Sequence, residues 1–155
     1  MGMFRGQGAT EYLVLLAVVL IVALVSVALL GFFPGMASDA RITQSQSYWR
    51  GQARPFAILE NSCNSAGANC TVVLQNVEAN GPYTIAGLNI GNCTQNNTST
   101  AFAAGDTKTM NAYSCAIAPG SGIIYDLSVN ITYSTPNGIT GVKEYGTKNM
   151  IGKYV

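Results

Sequence analysis

The sequence predicts an α+β protein: one long hydrophobic N-terminal helix, kinked near Pro34, followed by a compact antiparallel β-sandwich-like head domain. Three observations predict it. From Tyr12 to Ala37 no residue carries a charge, and Tyr12 and Ser26 hold the only hydroxyls; a run of more than about 18 such residues is long enough to cross a bilayer as a helix. Beyond Pro55 the texture changes to short apolar–polar alternations broken by Asn, Gly, Ser and Pro, the pattern of strands and turns. All four cysteines, Cys63, Cys70, Cys93 and Cys115, lie in that second part, and an even count behind an apolar N-terminal segment reads as two disulfides in an oxidising place.

The helix is expected over residues 7–50. Its first part is Leu-, Val- and Ala-rich on every side and has no wet face, so it must be buried all round, in lipid or in protein. Pro34 lacks an N–H and crowds the preceding turn, which predicts a kink or a short melted stretch. From Met36 to Trp49 the pattern turns amphipathic: Ile42 and Trp49 lie seven apart, while Ser38, Arg41, Gln44 and Ser45 supply a wet side. Arg50-Gly51 is a stop, with a cation at the helix C-terminus and glycine just past it. A stem of about 40 residues at 1.5 Å each is roughly 60 Å long, twice the hydrocarbon thickness, so only its first part fits in lipid.

The head domain is expected over residues 55–155, with strands at 56–60, 71–78, 83–90, 108–113, 123–133, 139–145 and 150–155. The clearest is 123–133, where Ile123, Tyr125, Leu127, Val129, Ile131 and Tyr133 alternate with a largely polar set. Thr135-Pro136-Asn137-Gly138 then supplies hairpin chemistry. Four cysteines allow three connectivities, among which the sequence alone does not choose; the expectation taken is Cys63 with Cys70, closing a short loop, and Cys93 with Cys115. Buried free thiols are an alternative. Zinc is a weaker one, because there is no CxxC pair and no histidine.

Glu11 is a lone carboxylate at the head of the apolar run. An ionised group in hydrocarbon costs roughly 2.5–3.5 kcal/mol on insertion scales, so it normally has a partner and a purpose. The bland reading is a residue at the membrane surface, where water and the helix N-terminus tolerate it. The sharper reading follows from the residues around it. Arg5-Gly6 followed by Gln7-Gly8-Ala9-Thr10-Glu11-Tyr12-Leu13 resembles the class III signal peptide of archaeal type IV pilin-like proteins. The resemblance covers about the first 50 residues. It implies a leader over residues 1–6, cut by a membrane prepilin peptidase between Gly6 and Gln7, and an apolar segment kept as the stem by which subunits pack. It also implies that Glu11, fifth in the mature chain, pairs with the N-terminal amine at Gln7 of a neighbouring subunit. The partners implied are copies of the same chain in a helical homopolymer, the assembly machinery, and the cytoplasmic membrane that holds the precursor.

Five Asn-x-Ser/Thr sequons, at Asn69, Asn92, Asn96, Asn97 and Asn130, mark candidate glycosylation sites on an extracellular surface. Asn96 and Asn97 are adjacent and are not expected to be occupied together. A merely hydrated Asn- and Thr-rich surface is the alternative. Only 10% of residues are charged and the net charge is +1, so no basic stripe exists to neutralise nucleic-acid phosphates. The absence of histidine removes the commonest base and metal ligand. The head carboxylates Glu60, Glu78, Asp106, Asp126 and Glu144 form no signature, and no phosphate-binding or nucleophile motif occurs. The expectation is a non-enzyme without cofactor or metal: a structural filament subunit whose glycosylated head serves adhesion at the cell surface. The alternatives are a membrane-anchored monomeric surface binding protein, an archaellin-like motility subunit, and a secreted domain cut after Ala37. The last would need an h-region of 7–15 residues, which this run exceeds.

Overall fold

The computed structural model describes residues 7–95, 99–115 and 120–155. It is α+β: one long apolar helix, α1 (Gln7–Gly51), followed by antiparallel strands. The chain divides into two compact units, one ending at Asp39 and one running from Ala40 to Val155. In the first unit α1 is continuous across Pro34, so the melting expected there does not occur. A proline removes one bond of the ladder, and neighbouring turns carry the helix past it.

The second unit holds the last turns of α1 and the strands. In chain order these are β1 (Phe56–Asn64), β2 (Asn69–Asn76), β3 (Tyr83–Ile90), β4 (Cys93–Thr94), β5 (Thr100–Phe102), β6 (Thr107–Ala112), β7 (Ile124–Leu127), β8 (Val129–Ser134), β9 (Val142–Tyr145) and β10 (Met150–Lys153). They form three antiparallel sheets with orders β1-β2-β6, β4-β3-β8-β9 and β10-β7, and β5 adds to β3. The two-residue β4 and three-residue β5 lie in an Asn- and Thr-rich stretch that carries no strand pattern of its own. Tertiary pairing with β3 makes them strands.

The long alternating run at 123–133 is not one strand. The chain breaks at Ser128, so that β7 pairs with β10 while β8 pairs with β3 and β9. Ser128 O accepts from Gly91 N at 2.7 Å, and Gly91, at φ +59°, is a position where a Cβ would come 2.9 Å from Leu127 Cδ2. The alternation survives the break from Tyr125 on: Tyr125, Val129, Ile131 and Tyr133 are buried and Leu127 is half-buried, whereas Ile123, ahead of β7, is exposed. Period two records which face is wet, not which strand lies alongside.

All three sheets feed one core. Phe56, fully buried, meets Phe102, Tyr133 and Tyr83 edge-on at ring-centroid distances of 5.3, 5.6 and 6.2 Å, the geometry aromatic quadrupoles prefer. The end of α1 belongs to this core as well. Trp49 is 2% exposed and Ser45 is 2% exposed, which corrects the placing of Ser45 on a wet side. Its hydroxyl donates to Asn149 O at 2.7 Å and accepts from Ile151 N at 3.0 Å, so it can be buried without loss. Arg50 Nε donates to Leu59 O at 2.8 Å, where the β1–β2 register skips a residue between Ile58 and Glu60. The bulge turns that carbonyl out of the ladder, and the arginine takes it.

Trp49 packs on Gly146, where a Cβ would lie 2.2 Å from Cζ2 and 2.5 Å from Cη2. Gly146→Ala is therefore expected to displace the indole and to destabilise the head by about 1–3 kcal/mol, the usual cost of overpacking. Denaturant unfolding followed by tryptophan fluorescence measures it, Trp49 being the only tryptophan in the chain; an unchanged midpoint and emission would refute the packing described.

Candidate functional site

Two parts of the chain carry chemistry. The first is the N-terminal segment of α1. From Gly8 to Gly31 every residue is exposed, with Tyr12 at 65%, Leu24 at 70% and Leu30 at 71%. The helix is long and apolar enough to cross a membrane, and its apolar window has no burial against the rest of its own chain. Glu11 stands on this surface, exposed, with no ion pair among the described residues. Gly6 lies outside the described residues, and Gln7 is the first residue of α1. The backbone N–H groups of the first helical turn have no partners within the helix, which makes that end electropositive.

The second part is the head. The structure pairs Cys63 with Cys70 and Cys93 with Cys115. Cys63 and Cys70 face each other across β1 and β2, beside a hairpin turn whose Asn64 Oδ1 accepts from Ala66 N at 2.8 Å and Gly67 N at 2.9 Å. The sulfurs of Cys70, Cys93 and Cys115 lie within 4.8 Å of one another. Each is committed to a disulfide, and a disulfide sulfur is not the thiolate that a metal requires.

Of the sequon asparagines, Asn92 is exposed on the Gly91-Asn92 turn between β3 and β4. Asn69 is half-buried at the start of β2, opposite Asn64, and the Thr71 hydroxyl of its sequon hydrogen-bonds Asn111 Oδ1 at 2.6 Å. Asn130 lies in β8 between Asn89 of β3 and Tyr145 of β9; it is half-buried, and its Oδ1 is buried without a partner among the described residues. Asn96 and Asn97 lie outside the described residues.

The carboxylates of the head are dispersed. Asp126 pairs with Arg41 and accepts from Asn149 Nδ2 at 2.7 Å; Glu78 pairs with Arg54 at 3.3 Å and Asp106 with Lys108 at 3.7 Å. Such exposed pairs contribute about 0–1 kcal/mol each. A recess of about 560 Å³ opens between the β2–β3 and β8–β9 turns, walled by Asn80, Tyr83, Thr135 and Asn137 among others. It offers amides and hydroxyls and no carboxylate.

Glu144 is different, and sequence alone gave no sign of it. Its place on the inner face of β9 leaves it 7% exposed. Oε2 accepts from Phe56 N at 3.1 Å, while Oε1 is buried without a partner among the described residues, as is Trp49 Nε1. Desolvation pushes the carboxyl up from its ordinary 4.5 to about 7, against the lowering effect of the Phe56 hydrogen bond. The group thus clasps the backbone at the point where the chain leaves α1 and begins β1.

No protein-family model matches the chain, and a search of the curated proteins finds no match.

The raised value has a definite sign for stability. Between pH 4.5 and about 7 the folded chain keeps a proton that the unfolded chain releases. Stability from this group is greatest below 4.5, falls as the pH rises to about 7, and is level beyond. The loss amounts to about 3 kcal/mol at 1.36 kcal/mol per unit. Glu144→Gln is expected to remove this slope and to make the chain more stable than wild type at pH 7.5. Urea unfolding of both proteins at pH 4.5 and 7.5 checks it; identical pH dependence would refute the assignment.

Proposed function

We propose that this chain is a structural subunit of an extracellular filament of the archaeal type IV pilin-like kind, held in the cytoplasmic membrane as a precursor and assembled through its stem. The single observation that carries the reading is α1: from Gly8 to Gly31 it is apolar and exposed on every side, with the one carboxylate of that stretch, Glu11, near its start. Cleavage between Gly6 and Gln7 places a positive amine at the mature N-terminus, and Glu11 of one subunit pairs with the amine of the next. A kink at Pro34 lets the stem follow its neighbours in a packed bundle. The disulfides suit a head that faces the outside, in which the two larger antiparallel sheets pack as a sandwich in this reading. Glycans on the sequons and the recess beside Tyr83 provide the surface for adhesion.

One observation also favours a second reading. The same helix suffices to anchor a single subunit in a membrane, and a monomeric surface binding protein needs no pairing at Glu11. Magnitudes separate the two. Removing the carboxylate eases membrane insertion, because its desolvation cost disappears. In a bundle of stems the same change leaves a buried amine unpaired, at about 3–5 kcal/mol per contact.

Glu11→Gln is therefore expected to leave the chain processed and membrane-held, with filaments absent or sparse by electron microscopy. Mass analysis of the native N-terminus accompanies it: Gln7 supports the filament subunit, Met1 the unprocessed anchor and Ser38 a secreted head. Abundant normal filaments from the variant would refute the pairing.

Glycosylation has its own measure. The exposed turn residue Asn92 is expected to carry heterogeneous extra mass in peptides from the native host, with Asn69 less occupied because its sequon lies within the β1–β2–β6 sheet. Unmodified peptides at all five sequons would refute the glycan reading.

A further inference from the structure

The two disulfides are close enough to react with each other. The Sγ atoms of Cys70, Cys93 and Cys115 are mutually within 4.8 Å, although the bridges join different pairs of elements: β1 to β2, and β4 to the segment after β6. Access to them is unequal. Cys63 is fully buried and Cys70 and Cys93 are each 1% exposed, whereas Cys115 is half-buried at the edge of the core. A thiol in solution therefore meets the Cys93–Cys115 bridge at Cys115 and meets the Cys63–Cys70 bridge nowhere.

We propose that the two bridges form a single thiol–disulfide exchange unit, in which external thiols act at Cys115 and the buried Cys63–Cys70 bridge is reduced through Cys93. An external thiolate attacks Cys115 Sγ, forming a mixed disulfide and releasing the Cys93 thiolate. That thiolate attacks Cys70 Sγ; the Cys70–Cys93 bond forms and the Cys63 thiolate leaves and takes a proton. A second external thiolate attacks the external sulfur of the mixed disulfide, releasing an external disulfide and the Cys115 thiolate. This last attacks Cys93 Sγ, restores Cys93–Cys115 and releases Cys70, which is protonated. The sum is two external thiols oxidised to one disulfide and Cys63–Cys70 reduced to two thiols. Run backwards with an external disulfide, the same sequence closes the inner bridge in a newly exported chain.

Distance and chemistry support each transfer. Exchange requires a thiolate within reach of a disulfide sulfur, and its rate is limited by thiolate fraction and access. Here a movement of about an ångström brings sulfurs at that spacing into bonding approach, while burial keeps thiolate fractions low and confines the reaction to the one accessible sulfur. The inference holds for the head whether or not the stem polymerises.

The test uses the detergent-solubilised full chain, dithiothreitol under native conditions, acid quenching, alkylation and peptide mass mapping. In Cys93→Ser/Cys115→Ser, reduction of Cys63–Cys70 is expected to slow by about tenfold or more. Loss of a bridge also weakens the fold, and reduction through unfolding would become faster, so the two routes predict opposite signs. A second variant, Cys63→Ser, decides the matter if the double variant does not fold. Its lone Cys70 thiol is expected to redistribute, with label on Cys115 and a Cys70–Cys93 bridge in about a tenth of molecules or more. Reduction at or above the native rate in a folded double variant, or label confined to Cys70 in the second, overturns the proposal.

Discussion

The constraint on this molecule is an apolar helical stretch that lies exposed along its whole length among the described residues. Every side chain described from Gly8 to Gly31 is exposed, and lipid and packed apolar helices are the two surroundings that suit such a stretch. Burying apolar surface gains about 25 cal/mol per Å² against water, but lipid is as apolar as leucine and exchange between the two gains little. Specificity in such an exchange has to come from shape and from the few polar groups present. Along this stretch those are Thr10, Glu11, Tyr12 and Ser26, and the Ser26 hydroxyl is already given to Val22 O at 2.7 Å. Glu11 is the one charge among them.

Within the second unit, the last turns of α1 are built into the head's core. Ser45 satisfies two backbone groups of the Asn149–Ile151 segment, Trp49 packs on Gly146, and Arg50 holds the carbonyl of Leu59. Glu144 takes the N–H of Phe56, the first residue of β1. The four contacts draw on both ends of the head sequence, so the last turns of α1 are ordered by residues 9 to 106 positions away. Keeping a carboxylate there unpaired on one oxygen costs stability at neutral pH.

Inside the head, the polar groups that are buried are mostly satisfied by backbone. Asn76, 0% exposed, donates through Nδ2 to Asn80 O, Phe102 O and Ala103 O and accepts from Glu78 N at 3.0 Å. One amide thereby fixes the β2–β3 turn against the end of β5. With two disulfides and the ring cluster around Phe56, it holds short strands together in a domain with little sequence to build a core from.

Composition and periodicity by themselves determined the class of this protein. An uncharged run from Tyr12 to Ala37 leaves no choice but an apolar helix, and alternation from Tyr125 to Tyr133 fixes an inner and an outer face, because both are properties of one segment and its solvent. The spacing of the cysteines left three connectivities open, and the register of β1 with β2 and the approach of β4 to Cys115 chose among them. Contacts between distant segments were decided by the tertiary structure alone. It broke the run at Ser128 to serve two sheets, recruited the short β4 and β5, turned Ser45 inward and buried Glu144. None of these leaves a local trace, since a serine on a helix or a glutamate on a strand looks the same whether water or Phe56 faces it. The pairing proposed for Glu11 calls on a second copy, which one chain does not contain.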